Sequence, residues 1–250
     1  MDALYHIGIK NAPHAKYAIL PGDPGRVEVI ATYLDNPTFI NSNREFTTYL
    51  GTLNGVNVLV TSTGIGGPST AIAVEELYKA GVRTFIRVGT CGGMQTEVVG
   101  GDLVIATAAA RAEGTSKEYM PIEYPAVASY DVVSALVKTA RETGRTHHIG
   151  VIQSKDSFYG QHSPERMPVG YDLKNKWSAY LKAGCLASEM ECAALFTVSS
   201  VLGARSGAVL SVFWNQERVK SGMTNPEIFD STDAILTAVN AIKILIENDK

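Results

Sequence analysis

The sequence has only three cysteines, Cys91, Cys185 and Cys192, an odd number with no C-x-x-C pair, which argues against both a disulfide framework and a zinc site. They read as reduced thiols packed in a core. Basic charge is not in excess: 22 Lys and Arg stand against 25 Asp and Glu, a net charge of −3. That balance argues against nucleic acid or an anionic membrane as partner, so any anion must be bound locally. No apolar run approaches the roughly 20 residues of a membrane span. Met1-Asp2-Ala3-Leu4-Tyr5-His6 lacks the basic and apolar regions of a secretory leader, and a cytoplasmic protein is expected. There is no internal repeat, low-complexity tract or Pro/Ser-rich linker. At 45% hydrophobic and 19% charged residues the chain is not of the disordered class. Folding at this length buries about 70% of the surface, so one domain over residues 1–250 is expected.

What is present is alternation. Apolar, β-rich runs at Tyr17 to Leu20, Val56 to Val60, Thr84 to Val88, Leu103 to Ala106, Ile149 to Ile152 and Ala208 to Phe213 predict strands between helical patterns. This is the signature of an α/β fold. Ser69 to Ala80 predicts a helix ended by Gly81, and Asp131 to Thr143 one ended by Gly144. Ile235, Ala238, Val239, Ile242, Leu245 and Ile246 recur at helical spacing behind the capping candidates Ser231 and Thr232. Glu45 to Leu53 and Val56 to Thr61, joined at Asn54-Gly55, predict a hairpin, which makes the sheet mixed. Met120 to Ser129 and Tyr159 to Tyr171, rich in Pro, Gly and polar residues, read as loops.

Four constellations carry candidate chemistry. In Leu20-Pro21-Gly22-Asp23-Pro24-Gly25-Arg26 a strand turns into a helix, with Asp23 suited to the N-cap and Pro24 to the first helical position. Free N–H groups near Gly22 and the guanidinium of Arg26 can meet one anion there, or the segment is an ordinary turn with a solvated Arg. Arg87-Val88-Gly89-Thr90-Cys91-Gly92-Gly93 places an Arg at the carboxyl end of a buried strand, where ligands collect in open α/β sheets. A buried Arg needs a counter-anion from protein or ligand. Thr61 to Ser69 is a loop dense in hydroxyls and glycines that permits close backbone approach. Ser188-Glu189-Met190-Glu191-Cys192 opens a helical pattern. Two carboxylates two apart do not share a helix face, so one can enter a pocket while the other is solvated or structural, or both merely suit the helix dipole. No loop is a Walker A or a G-x-G-x-x-G motif, which argues against triphosphate or dinucleotide binding.

P-G-D-P-x-R, S-T-G-I-G-G-P-S, R-x-G-T-x-G-G and S-E-M-E, in this order and with Arg44-Glu45-Phe46-Thr47-Thr48 ahead of the hairpin, resemble the nucleoside phosphorylase family, its uridine-cleaving branch most closely. The resemblance spans nearly the whole chain. It implies a three-layer α/β/α domain with a mixed central sheet, and a pentosyltransferase in which phosphate attacks ribose C1′ and releases the base. No organic cofactor is implied. Gly22, Arg26, Arg87 and Thr90 would hold phosphate, joined by Arg44 of a neighbouring copy; Arg26, Arg44 and Arg87 are the catalytic cations. Glu191 would hold the ribose hydroxyls, with Glu189 and Met190 beside it and His6 of the neighbouring copy near the 5′-hydroxyl. His6 read without the resemblance is a tail histidine. A homo-oligomer built from dimers, commonly a hexamer, is expected, with potassium at Glu45, Ile65 and Ser69.

For the base, the resemblance points to Phe158 and Gln161, and leaves His162, Arg166 or Gln216 open as the reader of the uracil O4. Purine-specific relatives place an Asp after the late strand. Here the segment is Trp214-Asn215-Gln216-Glu217, which favours uridine, with uracil and ribose 1-phosphate as products. The alternatives are a purine or broad-specificity phosphorylase, a nucleosidase using water, or a silent nucleoside-binding protein. The pair His147-His148 reads as surface.

Overall fold

The computed structural model describes residues 4–10 and 14–250. The first three residues of the stretch read for a leader lie outside the described residues. In chain order the elements begin β1 (Tyr17–Pro21), α1 (Gly25–Ala31), β2 (Asp35–Asn43), β3 (Phe46–Leu53), β4 (Val56–Thr61), α2 (Gly67–Lys79), β5 (Thr84–Gly93) and β6 (Leu103–Ala112). The central part holds α3 (Thr115–Tyr119), β7 (Ala126–Val127), α4 (Tyr130–Glu142), β8 (His147–Lys155), α5 (Phe158–His162) and α6 (Gly170–Lys182). Then come β9 (Ala187–Glu189), α7 (Cys192–Val201), β10 (Arg205–Asn215), α8 (Gln216–Lys220) and α9 (Thr232–Asn248).

One mixed sheet runs β10-β6-β8-β9-β5-β1-β4-β3-β2, with β7 appended to β6. β5 also pairs in parallel with β10, from Thr84 opposite Arg205 to Gly93 opposite Asn215. The half of the sheet made by β5, β9, β8, β6 and β10 therefore closes on itself. The runs predicted as strands are the buried centres of longer ones, and β5 continues straight through the glycines that had read as a loop. Two apolar layers flank the sheet: Ala73, Val74 and Leu77 of α2 with Leu195, Phe196 and Val198 of α7 on one face, and Val27, Leu136, Ile235 and Ile242 of α1, α4 and α9 on the other. The three-layer expectation holds.

Local chemistry explains the turns. Asn54 (φ 48°) and Gly55 (φ 75°) both take left-handed backbone, as a two-residue hairpin of this twist requires. Gly81 and Gly144 end their helices at φ 111° and 69°. Two expected caps differ. Helix α1 starts at Gly25, whose N–H donates to Asp23 Oδ1 at 2.9 Å. For α9, neither Ser231 nor Thr232 caps with its side chain; instead Asp230 Oδ1 accepts the Thr232 N–H at 2.9 Å and its hydroxyl at 2.6 Å.

Strand β2 and helix α6 were not predicted. β2 is a mostly exposed edge strand with Pro37, so it carries no alternating apolar signal. α6 buries only Gly170, so it shows no apolar stripe, and α5 with a short 3₁₀ turn also orders the segment read as loop. His148 is not a plain surface residue, because its Nε2 lies 2.9 Å from Asp102 Oδ2. The three cysteines are free thiols and buried. No helix among the described residues is long and apolar enough to cross a membrane.

Candidate active site

The carboxyl ends of β1 and β5, with β9 alongside, open into a cavity of about 1160 Å³. Its walls carry Gly22, Arg26, Arg87 and Thr90 at one end and Phe158, Gln161 and His162 at the other, with Glu189, Met190 and Glu191 between. The volume exceeds the upper range of about 1,000 Å³ for small-ligand pockets, room for two reactants together.

Two loops zip together at the end lined by Gly22, Arg26, Arg87 and Thr90. Thr63 N–H donates to Pro21 O and Gly64 N–H to Gly22 O, each at 2.9 Å. The hydroxyl-rich loop thus packs against the Gly22 loop. Gly64 (φ 71°) is required there: a Cβ would lie 2.7 Å from Glu45 Cγ. Arg87 and Gly89 share one face of β5, and a Cβ on Gly89 would sit 2.8 Å from Arg87 Nη2. The glycine two residues on is what lets the guanidinium lie flat along the strand.

That guanidinium is 4% exposed and held from two sides. Its Nε donates to Glu189 Oε2 at 3.2 Å and its Nη2 to Glu191 Oε2 at 2.5 Å. Its Nη1 is buried without a hydrogen-bond partner, and Gly22 is the neighbour it faces, 3.8 Å from the position of a Cβ there. Burial alone lowers the Arg87 pKa, but Glu191 and Glu189 more than offset this and it is raised. Burial lowers that of Arg26, and the nearby Arg87 lowers it further against Asp23. Two cations thus converge with one inward N–H donor unspent.

Of the two alternatives for the second carboxylate, solvated or structural, the structure takes the structural one, since both are buried. Glu189 ends β9 and Glu191 is the residue before α7, so a strand-to-helix bend, not a helix face, carries them, and both turn onto Arg87. Glu189 also accepts the Glu191 N–H at 2.8 Å and the Cys192 N–H at 3.0 Å, which makes it the cap of α7, and it accepts the Ser154 hydroxyl. Burial raises its pKa, but Arg87 and these donors overcome that and hold it low. Glu191 is raised, by burial first and then by its repulsion with Glu189. Its Oε1 accepts the Gly66 N–H at 2.6 Å.

At the other end a polar chain crosses the floor. Gln161 Nε2 donates to Gln216 Oε1 at 3.1 Å, and Ser188 Oγ lies 2.8 Å from Gln161 Oε1 and 2.7 Å from Gln153 Oε1. His162 packs between Phe158 (ring centroids 4.3 Å apart) and Trp214 (5.6 Å). Burial lowers its pKa, so the imidazole is held neutral. Of the three candidates for O4, His162 lines the cavity, Gln216 stands behind Gln161, and Arg166 is outside it, 5.8 Å over the Tyr159 ring.

Arg44 and His6 are also outside. Arg44 is exposed at the β2–β3 turn with φ 55°, a strained value for a side chain of this size. His6 is not a loose tail: its Nδ1 lies 2.7 Å from Glu76 Oε1, and its own N–H and that of Ile7 donate to the same carboxylate of α2. Glu45, Ile65 and Ser69 meet at the rim, with the Ser69 hydroxyl donating to Ile65 O at 3.1 Å. Among the described residues no group of three His, Cys, Asp or Glu gathers as a metal site.

Lys155, absent from the sequence reading, also lines the cavity; its pKa is lowered to about 8 by burial, against the pull of Glu189 and Glu191. The signal was the one that exposed Arg87, a cation at the carboxyl end of an apolar strand.

Residues 16–245 match the model of the Phosphorylase superfamily. The chain belongs to that superfamily. Among phosphorylases, the chain is 52% identical over 248 residues to uridine phosphorylase of Treponema pallidum (strain Nichols), covering 99% of this chain and 96% of that protein. It is 44% identical to uridine phosphorylase of Thermococcus kodakarensis (98% and 88% covered) and 41% identical to guanosine phosphorylase of Halorubrum lacusprofundi (84% and 83%).

Proposed function

We propose that this chain is a uridine phosphorylase, a pentosyltransferase that cleaves uridine with phosphate to uracil and ribose 1-phosphate. The observation that carries the reading is Arg87, fixed by two carboxylates with Nη1 buried and unspent beside Gly22. An anion at Gly22, Arg26 and Thr90 satisfies that donor, and water as the nucleophile would not need two converging cations. The reaction asks for positioning and charge. Phosphate is preorganised by Arg26 and Arg87, positive charge grows on the ribose between phosphate and base, and fixed donors stabilise the departing base. Glu191, on the wall between the two ends, accepts ribose hydroxyls over Met190.

Base choice rests on Asn215. Its Nδ2 donates to Gln95 O at 2.7 Å and Val98 O at 2.8 Å, and its Oδ1 caps α8 through the Glu217 and Arg218 N–H groups. Fully engaged, it has no proton to give a purine N7. Gln161 has a second N–H free for a pyrimidine carbonyl. The similarity to a guanosine phosphorylase keeps a purine activity as the second reading.

The complete enzyme, in this reading, is a cytoplasmic homo-oligomer of dimer units, hexameric in the family's usual manner, with residues 1–250 as one catalytic domain. Arg44 and His6 then reach the neighbouring copy's cavity, and the 78% exposed Ile65 at the rim is covered. Potassium would be held by the Glu45 carboxylate, the Ile65 carbonyl and the Ser69 hydroxyl, an all-oxygen set suited to a hard cation, and would join two copies. The deciding test is base release from uridine and guanosine, followed by absorbance with and without phosphate. Phosphate-dependent release from uridine alone is expected; release without phosphate refutes the reading, and preference for guanosine replaces it by the second.

A further inference from the structure

Lys155 ends β8, is 8% exposed, and reaches the cavity with its Nζ donating to Ser188 Oγ at 2.7 Å. An ammonium has three donors, and no carboxylate lies within ion-pair distance of this one among the described residues. Nothing in the phosphate end uses it. Ser188 is in turn bonded to Gln161, so Lys155 sits at the end where the base is read. Among the described residues it is also the only full cation lining that end: Arg166 lies outside, Gln216 is uncharged and His162 is held neutral. A second cavity, of about 950 Å³, lies behind the same wall and shares Lys155, Gln161, His162 and Trp214.

Resting on the uridine reading above, we propose that Lys155 is a catalytic residue: its ammonium donates to a ring carbonyl oxygen of the departing uracil and stabilises the negative charge the ring gains. As the C1′–N1 bond breaks, its electron pair goes to N1 and spreads onto the ring oxygens, while a phosphate oxygen forms the new bond to C1′. The proton lost by hydrogen phosphate as it becomes the ester balances the one uracil takes at N1. A cation fixed where charge develops, in a site walled by Phe158 and Trp214, acts most strongly in the transition state. Lys155 has a second effect on the amide. Ser188 Oγ accepts from Lys155 and has one proton, for which Gln153 Oε1 at 2.7 Å and Gln161 Oε1 at 2.8 Å are the two acceptors, so Lys155 ties the Gln161 amide into one network with itself.

The groups facing Lys155 are Glu189 and Glu191 from the β9–α7 bend, Cys91 of β5 and His162 of α5. Burial outweighs the two carboxylates, so the charged form is lost near pH 8.

The test compares uridine with 5-fluorouridine, whose base is the better leaving group, at saturating phosphate in the wild type, Lys155→Met and Lys155→Arg. Lys155→Met should lower kcat/KM for uridine by about 100-fold, the scale for losing one such donor, and for 5-fluorouridine distinctly less. Lys155→Arg, which does not titrate in this range, should recover part of the activity and abolish a basic limb near pH 8. Equal losses on the two substrates, or a limb unmoved by Arg, overturn the proposal. Should Lys155→Met fail to fold, the limb in Lys155→Arg decides alone. A wild type that cleaves neither pyrimidine nucleoside overturns the uridine reading itself, a result distinct from a wild type that is active but indifferent to residue 155.

Discussion

Replacing Arg87 by Ala should cost stability as well as phosphate binding, although a ligand-binding arginine is ordinarily expected to leave the fold intact when removed. Among the described residues the guanidinium is the only cation within ion-pair distance of Glu189 and Glu191, both at most 5% exposed. Removing one partner of a buried ionic cluster strands the others, at about 3–5 kcal/mol. Against a total stability of about 5–15 kcal/mol this is a large fraction, and at about 2–4 °C per kcal/mol for a chain of this size it lowers Tm by on the order of 10 °C. The pH dependence separates this from a simple cavity. In the wild type Glu189 is held low, so its contribution is lost as pH falls through its folded pKa, whereas Glu191 is raised and loses stability as pH rises. The two slopes oppose each other. Without Arg87, burial raises both carboxylates above their unfolded value of 4.5, so the variant's deficit is small at acid pH and grows upward from about pH 4.5. Thermal unfolding at fixed protomer concentration between pH 5 and 8 measures this. Adding Glu191→Gln to Arg87→Ala should recover part of the loss at pH 8. A variant within about 1 kcal/mol of wild type at pH 8, or a deficit independent of pH, refutes the reasoning.

Gln161→Ala should narrow the preference for uridine over guanosine about tenfold, the effect of one buried hydrogen bond, with the KM for phosphate little changed; an unaltered preference removes Gln161 from base reading. Gly89→Ala drives a Cβ to 2.8 Å from both Arg87 Nη2 and Leu210 Cδ2, and displacing the pinned guanidinium by about 1 Å should cost about 100-fold in kcat/KM for phosphate, read by initial rates. Unchanged phosphate kinetics would show that Arg87 has room to move. Arg44→Ala and Arg26→Ala, each inactive alone, should restore about a quarter of the wild-type activity when co-expressed, because half the dimers are mixed and carry one intact site; no recovery refutes a shared site.

The fold was legible wherever burial is two-sided. The strands and helices predicted from apolar periodicity are those that face the two core layers, such as Ile19 of β1 and Leu77 of α2. β2 and α6 escaped because they contribute little to either layer, and periodicity reports only burial. Asn54-Gly55 was readable because the chemistry of positive φ is local.

The site divides by the same logic. Arg87 announced itself, since a cation in an apolar strand needs partners, but its partners lie 102 and 104 residues away and only the fold selects them. Reading Glu189 and Glu191 on a helix left open whether the second was solvated or structural. Placed instead on the bend from β9 to α7, both side chains return to the strand beside them, where Gly92 pairs with Ser188. That single pairing explains the rest of the floor. Ser188, seated opposite Gly92, bonds both Lys155 and Gln161, while the next residue, Glu189, bonds Arg87. Two adjacent residues of a three-residue strand therefore set the spacing between the Arg87 end and the Gln161 end, the proposed phosphate and base ends. In a cleavage that develops positive charge on the ribose between two anions, that spacing must be held fixed, and β9 is fixed on both sides, by β5 and by β8.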